Sequence, residues 1–208
     1  MSQPLVIVDT GCANIASVNY AFERLGVKPV VTDDHAAIKQ AVRVLLPGVG
    51  TASAAMQSIE SKGLTRVIQS LEQPVLGICL GMQLLAEQSE ELPGSHLNAS
   101  EINTLPCLGV VPSQISRMET NGLVLPHMGW NQIKVKTESP LFKGIDNGSY
   151  FYFVHSFSAP ISEYTLASCE YGQAFSAAIG KDNFQGVQFH PERSGDAGAQ
   201  LLKNFIEM

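Results

Sequence analysis

The chain has 208 residues, 45% of them hydrophobic, and a formal net charge of −6 at pH 7. That charge, with no basic stretch to offset it, argues against a nucleic-acid or anionic-membrane partner. Four scattered cysteines (Cys12, Cys79, Cys107, Cys169) form no C-x-x-C pair, so neither a zinc cluster nor a disulfide scaffold is indicated.

Leu5–Val8 is a continuous apolar run ending at Asp9, as in a strand buried on both faces. Ile15, Val18, Phe22 and Leu25 follow at helical spacing, with Gly26 placed for a left-handed terminus. Pro29–Val31 and Val42–Leu46 read as the next strands, the second running into Pro47-Gly48-Val49-Gly50. Helices are expected over Ala52–Ile59 and Leu64–Leu71, then a strand into Cys79 and a helix after it. Ser89–Pro106 reads as a surface loop. Beyond it, Gln132–Val135, Tyr150–Val154, Thr165–Cys169, Ala174–Ile179 and Gly186–Phe189 read as short strands with few helices between them. A last helix, Ala197–Ile206, is expected to be capped by Asp196, with Leu201, Leu202, Phe205 and Ile206 as its apolar face.

The alternation of the first half predicts an α/β fold, a doubly wound and mostly parallel sheet with helices on both faces. The second half predicts a smaller antiparallel sheet packed beside it. No repeat or biased linker divides the chain, so one domain over residues 1–208 is expected. No apolar stretch is long enough to cross a bilayer and no basic–apolar leader opens the sequence, which points to the cytoplasm.

The most informative segment is Gly77-Ile78-Cys79-Leu80-Gly81. Glycines at −2 and +2 around a residue between strand and helix form a nucleophile elbow, here with sulfur in place of the usual oxygen. A helix N-terminus beneath the sulfur favours thiolate. Taken alone, a buried core cysteine is the commoner fate of such a residue. A second segment, Gln188-Phe189-His190-Pro191-Glu192, changes the balance. A cysteine nucleophile needs a base, and the base needs a third group to fix its tautomer. His190 and Glu192 at i and i+2 point to one side of an extended chain, stiffened by the proline between them.

In an open α/β sheet, ligands collect beyond the carboxyl ends of the strands. Pro47–Gly50 belongs there with Cys79, and the N–H groups of Val49, Gly50 and Leu80 are the expected donors to an oxyanion. A dinucleotide site is excluded because Gly11 is followed by Cys12, Ala13 and Asn14 rather than G-x-G-x-x-G. A P-loop is excluded because no G-K-[ST] occurs in the chain.

Together, Gly77–Gly81, His190-Pro191-Glu192 and Pro47–Gly50 resemble the class I, triad-type glutamine amidotransferases, whose fold is flavodoxin-like. Within that family, Pro126-His127-Met128-Gly129-Trp130-Asn131, Phe153-Val154-His155-Ser156 and Asp9–Asn14 are similar to the glutaminase subunits of imidazole glycerol phosphate synthases. The resemblance implies glutamine hydrolysis at Cys79, His190 and Glu192, with no metal or organic cofactor. It also implies that ammonia passes to a separate cyclase subunit, a (β/α)₈ barrel. By motif position it implies that Gln83, Glu91, His155, Ser156 and Phe157 contact glutamine. Phe157 stands where many relatives carry tyrosine, so a hydroxyl contact there is not expected. Trp is enriched at binding hot spots, and the resemblance implies a cyclase interface at Asn14, His127, Met128, Trp130, Tyr152 and Arg193. Core packing is the competing reading of Trp130, the chain's single tryptophan. Rival functions are the amidotransferase subunits for anthranilate, GMP or carbamoyl phosphate, a flavodoxin-like cysteine hydrolase, and a redox sensor indifferent to His190 and Glu192. The PHMGWN segment, Gln83 and the His-Pro-Glu element each weigh against one of these.

Overall fold

The computed structural model describes residues 5–11, 15–92, 104–136 and 138–208. In chain order, the first half contains β1 (Leu5–Val8), α1 (Ile15–Arg24), β2 (Val30–Thr32), α2 (His35–Gln40), β3 (Arg43–Gly48), α3 (Ala52–Ser61), α4 (Leu64–Gln69), β4 (Val75–Cys79) and α5 (Leu80–Leu84). Five strands follow: β5 (Gln88–Ser89), β6 (Leu105–Pro106), β7 (Gln114–Arg117), β8 (His127–Gln132) and β9 (Lys134–Val135). The remainder is β10 (Tyr150–His155), β11 (Phe157–Ser158), β12 (Thr165–Tyr171), β13 (Gln173–Lys181), β14 (Phe184–Val187) and α6 (Gly195–Glu207).

Eight strands form the main sheet in the order β2-β1-β3-β4-β14-β13-β12-β9. The pairs from β2 to β14 are parallel, and those from β14 to β9 are antiparallel. The parallel strands are apolar on both faces because both faces are covered. Val6, Val44, Leu46 and Val75 pack with Ile38, Ile59, Leu64 and Leu80 of α2–α5. Leu5, Ile7, Leu45, Leu76 and Ile78 pack on the other side with Phe22 of α1 and Leu201, Leu202 and Phe205 of α6. A β8–β10 hairpin pair and a four-stranded layer, β11-β7-β5-β6, stand against this core.

Several expectations need correction. The expected smaller antiparallel sheet is present as the β8–β10 pair, but β12 and β13, expected in it, continue the main sheet through β14. The strand expected at Gln132–Val135 is two: β8 ends at Gln132, and β9 resumes at Lys134 after Ile133 donates to the Ser149 carbonyl. The strand expected at Gly186–Phe189 is Phe184–Val187, set by its register with Val75–Ile78 of β4. Helix α2 stands where no element is expected; Asp34 caps it by accepting the Ala37 N–H at 2.7 Å. Asp196 is not a cap but lies in the first turn of α6. Ser194 holds the cap position, and its hydroxyl is committed to His190 and Tyr152 instead. The ends of the expected Ser89–Pro106 loop pair as β5 and β6, and residues 93–103 lie outside the described residues.

Candidate active site

Cys79 ends β4 between two other strand ends. Gly48 of β3 is in register with Cys79 itself, and Val187 of β14 is in register with Ile78. The sheet therefore delivers the Pro47–Gly50 turn on one side of the sulfur and the Gln188–Glu192 segment on the other.

The elbow is tight. Cys79 has φ 53° and ψ −110°, a left-handed conformation that L residues avoid. Such a residue costs on the order of 1–3 kcal/mol and persists only where its surroundings enforce it. Here they do: a Cβ on Gly77 would lie 2.6 Å from the Gly81 carbonyl oxygen, and one on Gly81 would fall on the Leu46 carbonyl oxygen. The glycines at −2 and +2 are thus consequences of strand and helix packing face to face. Helix α5 has only five residues, so the dipole beneath the sulfur is weaker than the sequence pattern implied.

Cys79 is 9% exposed. Its Sγ accepts from Gln188 Nε2 at 3.8 Å and turns its own hydrogen to the Val154 carbonyl at 3.9 Å. His190 Nδ1 meets Glu192 Oε1 at 2.8 Å. His190 Nε2, the nitrogen left for the thiol, is buried with no hydrogen-bond partner among the described residues. Burial disfavours a charged ring, but the neighbouring Cys79 sulfur and Glu192 outweigh it and raise the His190 pKa to about 10. The backbone of the His190 turn is stapled to β10, because His190 N–H donates to the Tyr152 carbonyl at 2.9 Å. Tyr152 N–H in turn donates to Ser194 Oγ at 3.0 Å, and that hydroxyl donates to the His190 carbonyl at 2.6 Å.

Cys79, His190 and Glu192 line one cleft of about 640 Å³, and Val49, Gly50, Leu80, Gln83, Glu91, His155, Ser156 and Phe157 line it with them. Gly50 has φ 94°, and Val49 beside it is 40% exposed, so the turn projects into the cleft mouth. Gln83 is held rigidly: its Nε2 donates to the Phe157 carbonyl and to Gln188 Oε1, each at 3.0 Å. Glu91 Oε2 accepts the Ala52 N–H at 2.8 Å. Burial nevertheless pushes the Glu91 carboxyl above its ordinary range, the mark of an anion lacking a counterion. Two contributors are not among the expected site residues. Gln188, fully buried, donates to the sulfur, and Arg117 from β7 lines the cleft. The alternation Gln188, His190, Glu192 was the one available clue to Gln188.

The residues expected at a partner surface separate into two groups. On the outer side of the β8–β10 pair, Met128 is 63% and Trp130 55% exposed. Trp130 lies in register with Tyr152, and their rings meet edge to face at 6.2 Å. The Arg193 guanidinium stands 5.9 Å over the Tyr152 ring. That exposure overturns core packing as the reading of Trp130. His127 is the correction: it is buried, stacked between Tyr171 at 4.1 Å and Phe153 at 5.0 Å, and touches no outer surface. Asn14 lies outside the described residues.

Comparison with known proteins places this geometry in context. The Glutamine amidotransferase class-I family matches residues 6–208. Imidazole glycerol phosphate synthase subunit HisH of Shewanella oneidensis is 56% identical, over 98% of this chain and 96% of its own length. The protein of the same name from Vibrio cholerae is 52% identical over the whole of both chains. Among solved structures, PurLQS from Thermotoga maritima superposes with a TM-score of 0.71 at 17% identity, over 100% of this chain and 99% of its own. A glutamine amidotransferase from Thermotoga maritima does so with a TM-score of 0.64 at 16% identity, over 100% of this chain and 82% of its own. At such identities both show the fold alone.

Proposed function

The chain belongs to the class I glutamine amidotransferases, and from that premise we propose how its residues carry out the reaction. It is the glutaminase subunit of an imidazole glycerol phosphate synthase, hydrolysing glutamine to glutamate and ammonia in histidine biosynthesis. The ammonia goes to a cyclase subunit that makes imidazole glycerol phosphate and an aminoimidazole carboxamide ribonucleotide.

Cys79, His190 and Glu192 form the catalytic triad. With the thiol proton resting on His190 Nε2, as that ring's raised pKa favours, Sγ attacks the side-chain amide carbon of glutamine. The resulting oxyanion is held by backbone N–H groups of Leu80 and of the Val49–Gly50 turn. His190 returns the proton to nitrogen as the C–N bond breaks, and ammonia leaves a γ-glutamyl thioester on Cys79. Water then attacks the thioester, His190 takes its proton, and the C–S bond breaks to release glutamate. Glu192 holds Nδ1 and stabilises the imidazolium throughout. The observation that carries this reading is the 2.8 Å His190–Glu192 bond with the unpartnered Nε2 in the same cleft as the strained Cys79.

Glutamine lies with its ammonium against Glu91 and its carboxylate toward Arg117, while Gln83 and the His155–Phe157 backbone fix its length. The partner is a (β/α)₈ barrel that docks on Met128, Trp130, Tyr152 and Arg193, and the pair works in the cytoplasm. Among the described residues no helix is long and apolar enough to cross a membrane. The Val49 peptide, beside a glycine in a left-handed turn, rotates its N–H toward the oxyanion when the cyclase engages. The test is glutamate release from glutamine with and without cyclase and its nucleotide substrate. Turnover rises with the partner and disappears in Cys79→Ala, while synthesis from added ammonia survives; glutamate release by that variant would refute the assignment.

A further inference from the structure

The inner side of the β8–β10 pair carries a row of hydrogen bonds that the reaction chemistry leaves unused. His127 and His155 lie in register across the two strands. His155 Nδ1 lies 2.9 Å from the Phe157 carbonyl, which only accepts, so Nδ1 carries the hydrogen. The other nitrogen of the neutral ring, Nε2, then accepts from His127 Nδ1 at 3.1 Å. That leaves His127 Nε2 as acceptor for Asn131 Nδ2 at 3.2 Å. The Asn131 amide is oriented independently, since Nδ2 also donates to the Glu170 carbonyl at 2.9 Å and Oδ1 accepts the Gln132 N–H at 2.8 Å. Each group has one role, and a proton added to either ring would set two donors against each other.

The environment agrees with this assignment. The two rings are 3% and 6% exposed. Burial pushes His127 down to about 4. Burial, with smaller effects from His127 and His190, pushes His155 down to about 3. Both stay neutral in water near pH 7. At the far end of the row, the Phe157 carbonyl also accepts from Gln83, Gln83 donates to Gln188, and Gln188 donates to Cys79 Sγ.

We propose that His127 is a positioning residue for glutamine. Through a relay of fixed direction, Asn131 to His127 to His155 to the Phe157 carbonyl, it sets the His155–Phe157 segment and the Gln83 amide in the cleft. The same relay ties that segment to the strand bearing Met128 and Trp130 on its outer side. His127 itself does not line the cleft and acts only through His155. The proposal rests on the reading that this cleft holds glutamine.

Two variants in complex with the cyclase test it. His127→Phe keeps a flat ring between Tyr171 and Phe153 but strips the donor from His155 Nε2. Its KM for glutamine rises about tenfold, as loss of one buried hydrogen bond gives, with kcat changed by less than about twofold. His127→Asn supplies an amide N–H near the position of Nδ1 and restores KM to within about threefold of the parent, although it loses the stacking. In the parent, ¹⁵N NMR finds both rings neutral and protonated at Nδ1. An unchanged KM in His127→Phe, a KM that follows melting temperature in both variants, or a ring protonated at Nε2 overturns the proposal. Absence of any glutamine turnover by the parent with cyclase would instead remove the reading beneath it, while the tautomer result would stand.

Discussion

Glu192 accepts the Nδ1 hydrogen of His190 through Oε1 at 2.8 Å, while its other oxygen, Oε2, is buried with no partner among the described residues. A carboxylate in that position has one strong tie and spends its charge on the imidazole alone. Glu192→Gln preserves size and one acceptor oxygen but removes the charge that steadies the imidazolium. A charge-assisted bond of about 1.5–3 kcal/mol corresponds to a kcat lower by roughly ten- to hundredfold. KM for glutamine stays near its parent value, because Glu192 acts on the base; steady-state kinetics with cyclase separate the two.

His190 titrates far above an ordinary histidine, at about 10, because the Cys79 sulfur and Glu192 outweigh the burial of the ring. Removing the sulfur in Cys79→Ala removes the larger of these two supports, so the NMR-observed pKa falls. The sign for stability follows from linkage. A folded-state pKa raised from 6.5 contributes stability that is complete below pH 6.5 and is lost as pH rises through about 10. The parent should therefore lose more stability than Cys79→Ala between those limits, measured by urea titration across the pH range.

Glu91 is destabilised as an anion by its burial in the cleft, and its folded-state pKa is raised. A raised carboxyl contributes stability below its unfolded pKa that is lost as pH rises through the folded one. At pH 7 the charge is therefore a liability until an ammonium group arrives. Glu91→Gln should melt no lower than the parent, while its KM for glutamine rises by about ten- to hundredfold from loss of a charge-assisted contact. Calorimetry and kinetics on one sample decide it.

Gly81→Ala places a methyl on the Leu46 carbonyl oxygen, with strand backbone behind it and nowhere to yield. The expected cost is about 3 kcal/mol or more, a fall in melting temperature of roughly 6–12 °C. Gly50→Ala meets no atom within 4 Å but must hold φ 94°, so it should disturb the oxyanion turn more than the fold.

Trp130→Ala removes an exposed ring that meets Tyr152 edge to face. Affinity for the cyclase should fall by about 2 kcal/mol, roughly thirtyfold, if the ring is a hot spot. The melting temperature of the isolated chain should move by no more than about 2 °C. Equal affinity with a large thermal loss would return Trp130 to the core.

Cys79, His190 and Glu192 are legible as a set because their signals are local. Gly77 and Gly81 mark a turn with no room for a Cβ at either flank of Cys79, and His190 and Glu192 need only two positions to declare their pairing. What the sequence concealed depends on long-range register. Nothing in Phe184–Val187 announces that it pairs with Val75–Ile78, yet that pairing brings His190 to Cys79 and carries the antiparallel strands into the main sheet. Helix α2 escapes notice because one residue of its six, Ile38, is buried, too little to show a period. His127 reads as part of the partner surface because its neighbours Met128 and Trp130 are the ones that face outward. Strand alternation, which begins at His127 and not at Gln132, turns its ring inward. Arg117 reaches the cleft only because the β5–β7 layer folds back beside it.

Every step of the mechanism depends on a covalent bond between Cys79 Sγ and the γ-carbonyl carbon of glutamine. Acid-quenching the cyclase complex during turnover and mapping peptide masses detects that bond. A glutamyl adduct is expected on the Cys79 peptide of the parent chain, and none on Cys79→Ala. Sustained glutamate production with that peptide unmodified at every time point would rule the thioester out.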